Sequence, residues 1–369
     1  MVIHGTVYIA EKKEGGEDMS ERLHYIPPEA RGLTEEEDQV KNLIKVRGDK
    51  ASWKHFTPEF VGTKSQEYKI PELTNQINEA AKRFLEGRIS QPEGQVKIKT
   101  DLPIAIAFLG DLHLGSIYTN TNEVFRKVEE IKETPNMYTI FMGNLIDNAI
   151  PSQFPNNMLV NAIPPDKQVM MMRNIAEDLN RHGKVLGAIT SPCHEGWTFK
   201  HAGQDVNALI FGFKSRKFPV LQNGGLLHLG IGSQEYLGAL FHQVGPFESN
   251  FNETHALRQL NRLNLDMKAD FVAGAHRHFS AAEVVYEGNG NTRHPVAYIR
   301  SGTEKGTGEI HDQFTVDRYG KTGEPTGQTL HLWPDKKRLM ANCDFDTGVL
   351  AHECLYLTEV AKKERREGR

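Results

Sequence analysis

The amino-acid sequence predicts an α/β fold that follows a mostly helical accessory segment. From residue 102 onwards, short apolar runs alternate with amphipathic stretches, which is the pattern of layered sheets and helices. The 369 residues are enough for one large domain with an appendage, or for two domains. We therefore expect an accessory segment at 1–98, a core at 102–305 and an extension at 306–369.

The accessory segment is polar and rich in charged residues. Helical periodicity occurs at 35–46 and again at 73–85, on either side of an irregular stretch at 47–70. Short helices joined by turns could form a helix-turn-helix reader of DNA. Any small helical appendage has the same pattern, and we favour that second interpretation.

The first half of the core predicts two βαβ crossovers. Three apolar runs, at 104–110, 138–143 and 184–190, are typical of buried strands. Amphipathic stretches at 122–132 and 167–181 predict the helices between them.

The second half of the core predicts strands that lie close together in sequence, with one helix at 253–263. A mixed sheet would suit this order. After residue 303 the chain is rich in turns, and its charged end KKERREGR predicts a frayed helix. The strands are predicted at 226–232, 235–243, 269–276, 281–288 and 295–302.

The overall composition excludes some classes of protein. A formal net charge of −4 gives no global attraction to nucleic acid, so any such contact must come from a local patch. No apolar run is long enough to predict a membrane span, and the start lacks the apolar core of a signal peptide. Three scattered cysteines favour a reducing compartment. We expect a cytoplasmic protein.

Polar residues follow the predicted strands at the points where the strands end. Ligands in open α/β sheets gather outside the carboxyl ends of strands, so these side chains can converge. A single histidine at a strand end is usually just hydrogen-bonded, and the series as a whole carries the prediction. The residues are Asp111, His113, Asn144, Asp147, Cys193, His194, Glu195, His242, His276 and His278.

These residues fall in five ordered motifs that resemble those of the calcineurin-like metallophosphoesterases, over about 200 residues. Their spacing is nearest to the Mre11/SbcD-type nuclease and phosphodiesterase branch. The resemblance implies a two-sheet sandwich flanked by helices, with two divalent metal ions such as manganese, zinc or iron. The motifs are GDLHLG at 110–115, GNLIDN at 143–148, PCHEGW at 192–197, FHQVG at 241–245 and GAHRHF at 274–279.

The resemblance also implies a role for each matching position. His194 would be the catalytic histidine. Apart from the resemblance, we expect Asp147 and Glu195 to support the ligands from behind, and Trp197, which comes shortly after His194, to line a substrate groove or cap the site. The implied ligands are Asp111, His113 and His278 for one ion, His242, His276 and Cys193 for the other, and residue 144 as a bridge between the two ions.

Two ligand positions depart from the family pattern. Asn144 stands where the family has a bridging aspartate, and Cys193 stands where it has an asparagine. A neutral amide bridges two cations poorly, since it has one oxygen and no charge. A Cys193 thiolate could restore the lost charge, or it could be a buried thiol without a metal role. Alternatively, Asn144 is an engineered change that disables hydrolysis, or the site is degenerate and only binds.

The resemblance implies a phosphodiesterase or nuclease acting on DNA, RNA or nucleotides by a two-metal mechanism. Asn148 follows Asp147 where protein phosphatases have an arginine, which argues against that branch. Two alternatives stay open: a phosphomonoesterase, and a catalytically impaired fold used as a binding module. We expect a phosphate-ester substrate, no membrane partner, and either a monomer or a homodimer.

Overall fold

The computed structural model divides into two compact units, residues 1–74 and 75–369, which are described separately. The residues that the structure describes are 2–3, 6–10, 23–25, 70–72, 74–75, 77–79, 90–150, 160–245, 252–263, 268–288, 293–309, 312, 316 and 322–368.

The first unit contains a small antiparallel sheet of β1 (Val2–Ile3), β2 (Thr6–Ala10) and β3 (Leu23–Tyr25). The sequence did not predict these strands, and most of the segment at 1–98, which it predicts to be mostly helical, lies outside the described residues. The run TVYIA alternates apolar and other residues as a strand does, but it is short and its charged surroundings obscure it. The predicted helix at 35–46 lies outside the described residues. Of the predicted helix at 73–85, residues 74–75 and 77–79 are described and are helical.

The second unit is built on one eleven-stranded mixed sheet. Its order is β11-β12-β10-β9-β8-β7-β6-β5-β13-β14, and β4 pairs with β8. The strands are β4 (Ser90–Ile98), β5 (Ile104–Leu109), β6 (Met137–Phe141), β7 (Val185–Ile189), β8 (Val220–Ile231), β9 (Gln234–Phe241), β10 (Phe271–Gly274), β11 (Ser280–Glu287), β12 (His294–Ser301), β13 (Thr329–Leu332) and β14 (Leu339–Asn342).

Six helices of the described part flank this sheet. Polar side chains cap three of them, since Asn120, Asp205 and Asp344 accept hydrogen bonds from the backbone N–H groups of Glu123, Ala208 and Thr347. Among the described residues, no helix is both long and apolar enough to cross a membrane. The helices are α1 (Thr121–Glu133), α2 (Pro165–Arg181), α3 (His194–Ala202), α4 (Val206–Phe211), α5 (His255–Leu263) and α6 (Phe345–Arg366).

The sheet folds over itself into two layers, because β11 and β12 at one end contact β14 at the other. Apolar residues from both halves fill the space between the layers, including Phe108, Leu240 and Phe271. Separate apolar clusters lie on the two outer faces, one under α1, α2 and α4 and one under α5. The predicted sandwich flanked by helices is therefore confirmed.

The core extends beyond the predicted limits of 102–305 in both directions. β4 pairs in parallel with β8, and β13 pairs antiparallel with β5. β4 is mostly polar, with Val96 and Ile98 as its aliphatic residues, and β13 has only four residues, so neither gives the continuous apolar run that identified the other strands. The two predicted crossovers are confirmed, since β5, β6 and β7 are parallel.

The carboxyl ends of β7 and β9 meet at a bend in β8, although these strands run in opposite directions. β8 pairs with the end of β7 through Leu221 and with the end of β9 through Gly224. Between these two residues, Asn223 has a φ of 59°. Its backbone N–H donates to Thr190 Oγ1 at 3.0 Å, and its carbonyl accepts from the N–H of His242 at 3.1 Å. The bend thus joins the loops that follow β7 and β9.

Candidate metal centre

The loops after five strands bring the motif residues into one place. Two groups of donor atoms, and a third that overlaps the first, could each hold a metal ion, with the atoms of a group within 4.8 Å of one another. β5 leads into Asp111 and His113, β6 into Asn144 and Asp147, β7 into Cys193 and His194, β9 into His242, and β10 into His276 and His278.

The backbone of these loops is unusual. Nine non-glycine residues in the described part of the chain have a positive φ, and six of them lie in these loops. Residues other than glycine rarely adopt this left-handed backbone conformation, which costs roughly 1–2 kcal/mol per residue. Such strain is concentrated at functional sites. The six are Asp111 (47°), His113 (48°), Asn144 (48°), Asn148 (42°), His276 (76°) and His278 (60°).

The first group consists of Asp111, His113 and His278, all buried. The Nε2 atoms of the two histidines are 3.1 Å apart, and they lie 3.8 and 3.9 Å from Asp111 Oδ1. Asp147 Oδ1 lies 3.1 Å from His113 Nδ1, which orients the His113 ring with Nε2 towards the group. Ligand atoms about 2 Å from a shared ion have similar separations. The three atoms therefore fit one cation.

The second group consists of Cys193, His242 and His276. His242 Nδ1 donates to the carbonyl of Met142 at 2.7 Å, which leaves Nε2 to bind an ion. This Nε2 is buried and has no hydrogen-bond partner among the described residues. Cys193 Sγ lies 3.9 Å from His276 Nδ1. A buried ring nitrogen without a partner is what a metal ligand leaves when the ion is removed.

Asn144 is held by hydrogen bonds at the bridging position. Its Nδ2 donates to Asp111 Oδ1 at 2.9 Å, and its Oδ1 accepts from Ser191 Oγ at 2.5 Å. The amide nitrogen, which is not a metal ligand, therefore faces the first group. Ser191 also accepts a hydrogen bond from the backbone N–H of Cys193 at 3.0 Å, so one hydroxyl positions both departures from the family pattern.

His194 lies beside the first group, with its ring centroid 4.4 Å from that of His113. Its Nδ1 donates to the carbonyl of Asp147, and so its Nε2 is left to exchange a proton. Trp197 is only 8% exposed and packs against His194, with the ring centroids 4.1 Å apart. Trp197 therefore supports the His194 ring and has little surface of its own exposed, which fits the capping role more closely than the groove.

Lys305 is a residue of the site that the sequence did not reveal. Its Nζ donates to Asp147 Oδ1 at 3.0 Å, and the lysine is only 6% exposed. It lies on the loop after β12, where Thr303 Oγ1 donates to the carbonyl of Asp111 at 2.6 Å. This loop carries no motif, and a lysine in a turn-rich segment ordinarily faces solvent.

Glu195 is buried behind the second motif loop. Its Oε1 accepts the backbone N–H of Leu145 at 2.5 Å, and burial raises its pKa to about 7 although backbone hydrogen bonds lower it. Glu195 thus fixes the loop that carries Asn144, in keeping with the supporting role expected from the sequence.

Burial sets the protonation states of the ligand side chains in the protein without metal. It lowers the pKa of His242 to about 3, and it lowers the pKa values of His113 and His278 as well. It raises the pKa of Asp111 to about 8 and also raises that of Cys193. The histidines are therefore neutral, which is the form that binds metal, while Asp111 and Cys193 lose protons on binding a cation.

Asp147 behaves differently from Asp111. Burial raises its pKa, but the hydrogen bond from His113 and the charge of Lys305 outweigh burial and hold the pKa below its usual range. Asp147 is therefore ionised and keeps both partners.

The nitrogen, sulfur and oxygen donors of the two groups fit divalent transition metals. Imidazole and thiolate suit zinc or iron, and the carboxylate adds a ligand that manganese also accepts. The described residues thus bring together two adjacent groups of donors that could each hold a cation, one of two histidines with a carboxylate and one of two histidines with a thiol.

Comparisons with known proteins return structures only. No family model matches the chain, and no curated protein matches it. Vps29 of Entamoeba histolytica complexed with zinc is 13% identical over 65% of this chain and 97% of its own, with a TM-score of 0.32. Nuclease MPE of Pseudomonas putida is 12% identical over 64% of this chain and 87% of its own, with a TM-score of 0.28.

A third similar structure is the calcineurin-like phosphoesterase YfkN of Bacillus subtilis. It is 9% identical over 72% of this chain and 100% of its own, with a TM-score of 0.34. Because these identities and TM-scores are low, the matches indicate no particular substrate or activity. The layered α/β fold is the one that the predicted resemblance implies, and the five motifs assemble at its strand ends.

Proposed function

We propose that this protein is a metal-dependent phosphodiesterase or nuclease that hydrolyses phosphate esters of nucleic acid or nucleotides. The observation that carries the proposal is the pair of adjacent donor groups on strained loops, with His194 beside them. Phosphoryl transfer needs cations that neutralise the phosphate and a group that exchanges a proton with an attacking or leaving oxygen.

In this proposal two divalent ions occupy the two groups. Asp111, His113 and His278 would hold one, and Cys193, His242 and His276 the other. When bound, such ions neutralise the phosphate charge and lower the pKa of water to near neutrality. The donors suit manganese, zinc or iron.

His194 is the group that handles the proton. Its side chain is 14% exposed, whereas those of Asp111 and His113 are 0% and 2% exposed, so substrate can reach His194. Burial and the neighbouring His113 hold its pKa well below its usual range. A phosphate anion next to the ring favours the imidazolium and raises that pKa. His194 then donates from Nε2 to the leaving oxygen.

Cys193 and Asn144 decide the charge of the centre. Asp111 is the only carboxylate in the two groups, so a Cys193 thiolate would supply the second negative charge. In the proposed enzyme, Asn144 acts as a hydrogen-bond link between Ser191 and Asp111 and does not bridge the ions.

The hydrogen bonds of Asn144 also favour the second candidate, a catalytically impaired fold that binds a phosphorylated ligand. An amide that directs its nitrogen at Asp111 places no oxygen between the two groups. A phosphomonoesterase is the third candidate and differs in preferring a monoester over a diester.

The cellular setting is part of the proposal. All three cysteines are free thiols, which suits the cytoplasm. We propose DNA, RNA or nucleotides as partners, with no membrane, and we keep the homodimer as a proposal that light scattering will check.

The test compares the given protein with an Asn144→Asp variant and with Asn122→Asp, an exposed control on α1. Each is loaded with manganese or zinc, its metal content is measured by mass spectrometry, and hydrolysis of bis-p-nitrophenyl phosphate is followed. We expect two ions per chain and turnover in the given protein. Turnover in Asn144→Asp alone would mean that Asn144 disables a phosphodiesterase.

Absence of metal and turnover from all three proteins would leave the binding module as the function. Faster hydrolysis of p-nitrophenyl phosphate than of the diester would replace the diesterase with the monoesterase.

A further inference from the structure

A cavity of about 310 Å³ lies beside the second donor group, between the loop after β7, the bend in β8 and helices α3 and α4. We call it the amide cavity. Its volume is at the small end of the range of about 300–1,000 Å³ for ligand pockets, which suits one base with its sugar. Its lining includes Ser191, Phe199, Lys200, Asn207 and Gln222.

The amide cavity and the metal centre share a wall. Ser191 lines the cavity, and its hydroxyl donates to Asn144 and accepts from the N–H of Cys193. Glu195 lines the cavity as well, and it holds the backbone of Leu145 next to Asn144. A group bound in the cavity is therefore a close neighbour of a phosphate at the second donor group.

Asn207 is the observation that points to a ligand. It is only 7% exposed and lines the cavity, yet its side-chain amide has no hydrogen-bond partner in the described part of the chain. Neither polar atom of this amide is among the fully buried side-chain atoms that lack a partner, so the amide is open to the cavity. A ligand that offers both a donor and an acceptor would satisfy the Asn207 amide.

The rest of the lining matches a nucleobase better than a sugar or a peptide. Phe199 supplies a flat ring, and a ring stacks on any base. Gln222 adds a second amide, and amides pair with the donor and acceptor edges of bases. Lys200 lies at the same wall, with its Nζ donating to the carbonyl of Pro192 at 3.1 Å. Charge, stacking and edge recognition are thus within one cavity.

We propose that the amide cavity binds the nucleobase of a nucleotide whose phosphate lies at the metal centre, with Asn207 hydrogen-bonded to the base edge. This inference rests on the proposed function and narrows its substrates to nucleotides and nucleic acids. Because the cavity has room for one base, the protein would recognise the single nucleotide at the scissile phosphate and not a longer nucleotide sequence.

The experiment measures binding by calorimetry on the full chain, with and without manganese. The probes are the monophosphates of adenosine, guanosine, cytidine and uridine, and ribose phosphate, which lacks a base. The preference is the ratio of the Kd of ribose phosphate to that of each nucleotide. The variants are Asn207→Ala and Asn207→Asp, which keeps the side-chain volume. Asn122→Ala is the matched control, since Asn122 lines a different cavity beside Tyr118.

We expect at least one nucleotide to be preferred by about tenfold or more, as stacking and one good hydrogen bond would give. Both Asn207 variants should reduce that preference towards one, with melting curves that confirm folding, and Asn122→Ala should retain it. Three results would overturn the proposal. The unmodified protein could show no preference for any nucleotide over ribose phosphate, the Asn207 variants could retain the preference, or Asn122→Ala could lose it.

The two proposals fail in different ways. If the protein hydrolyses the generic diester but shows no base preference, the proposed function stands and the proposed base site is wrong. A protein that prefers nucleotides through Asn207, yet turns over no ester with any metal, keeps the base site as a binding module.

Discussion

Lys305 donates a hydrogen bond to Asp147 inside the protein, with 3.0 Å between Nζ and Oδ1 and both residues buried. The same Asp147 oxygen lies 3.1 Å from His113 Nδ1. One carboxylate oxygen therefore joins a lysine from the loop after β12 to a ligand histidine from the loop after β5. The ammonium keeps Asp147 ionised, and the ionised carboxylate keeps His113 Nε2 directed at Asp111.

Replacing Lys305 with methionine should destabilise the protein, because it leaves a buried carboxylate without its counter-charge. We expect a loss of about 3 kcal/mol in the free energy of unfolding, measured by urea denaturation of the metal-free protein. The control Lys336→Met is at an exposed lysine and should stay within about 0.5 kcal/mol. Equal stability of the two variants would show that Asp147 does not depend on Lys305.

Replacing Gly143 with alanine should displace His242. Gly143 has a φ of +84°, and an added Cβ would lie 2.7 Å from His242 Nδ1. The control is Gly183→Ala, with a φ of +67° and no atom within 4 Å of the added Cβ. Both variants carry the backbone penalty of roughly 1–2 kcal/mol, but only Gly143→Ala should lose an ion per chain by mass spectrometry. If Gly143→Ala and Gly183→Ala contained equal amounts of metal, His242 would not be a metal ligand.

Replacing Cys193 with serine should weaken zinc binding more than manganese binding, because a thiolate favours the softer ion. We expect the zinc affinity, measured by competition with a chelator, to fall by at least about tenfold. Cys354→Ser, at an exposed thiol, is the matched control. An unchanged zinc affinity in Cys193→Ser would make Cys193 a buried thiol without a metal role.

The buried pair His331 and His352 should make the protein acid-sensitive. Their ring centroids are 5.6 Å apart, and burial lowers the pKa of His331 to about 3 and also lowers that of His352. Because the folded pKa lies below the unfolded value of 6.5, protons bind preferentially to the unfolded chain, and stability falls as the pH falls from about 6.5 towards 3.

The measurement is urea unfolding of the metal-free protein over this pH range. His331→Gln retains an acceptor for Asn342, which donates to His331 Nε2 at 2.9 Å, and removes one titrating group. The slope of stability against pH should decrease by up to about 1.4 kcal/mol per pH unit. His182→Gln, at a half-exposed ring, should change the slope much less. Parallel curves for both variants and the given protein would contradict the prediction.

The sequence predicted the centre of the fold better than its edges. β5, β6 and β7 were found because each is a fully or mostly buried run with polar residues after it. β4 and β13 were missed because pairing with β8 and β5, and not their own pattern, makes them strands. Pairing between distant segments leaves little trace in a local window of sequence.

The ligand positions could be predicted, whereas the residues that hold them could not. Asp111 and His276 lie in motifs that mark a turn after a strand. Ser191, Lys305 and Asn207 lie outside any motif. Ser191 and Lys305 contact Asn144 and Asp147, which are 47 and 158 positions away along the chain, and Asn207 is important only because it lines a cavity. Only the fold shows that a serine hydroxyl reaches Asn144 or that an asparagine amide faces a cavity.

The pairing of β13 with β5 has a consequence for how the protein is made. The ribosome synthesises all five motifs before it reaches β13, at residues 329–332. This strand pairs with β5, the strand that leads into the first motif. Until then β5 has an open edge, and such an edge can pair with another chain. Nascent chains that stall before residue 329 should therefore be prone to self-association until β13 has paired with β5.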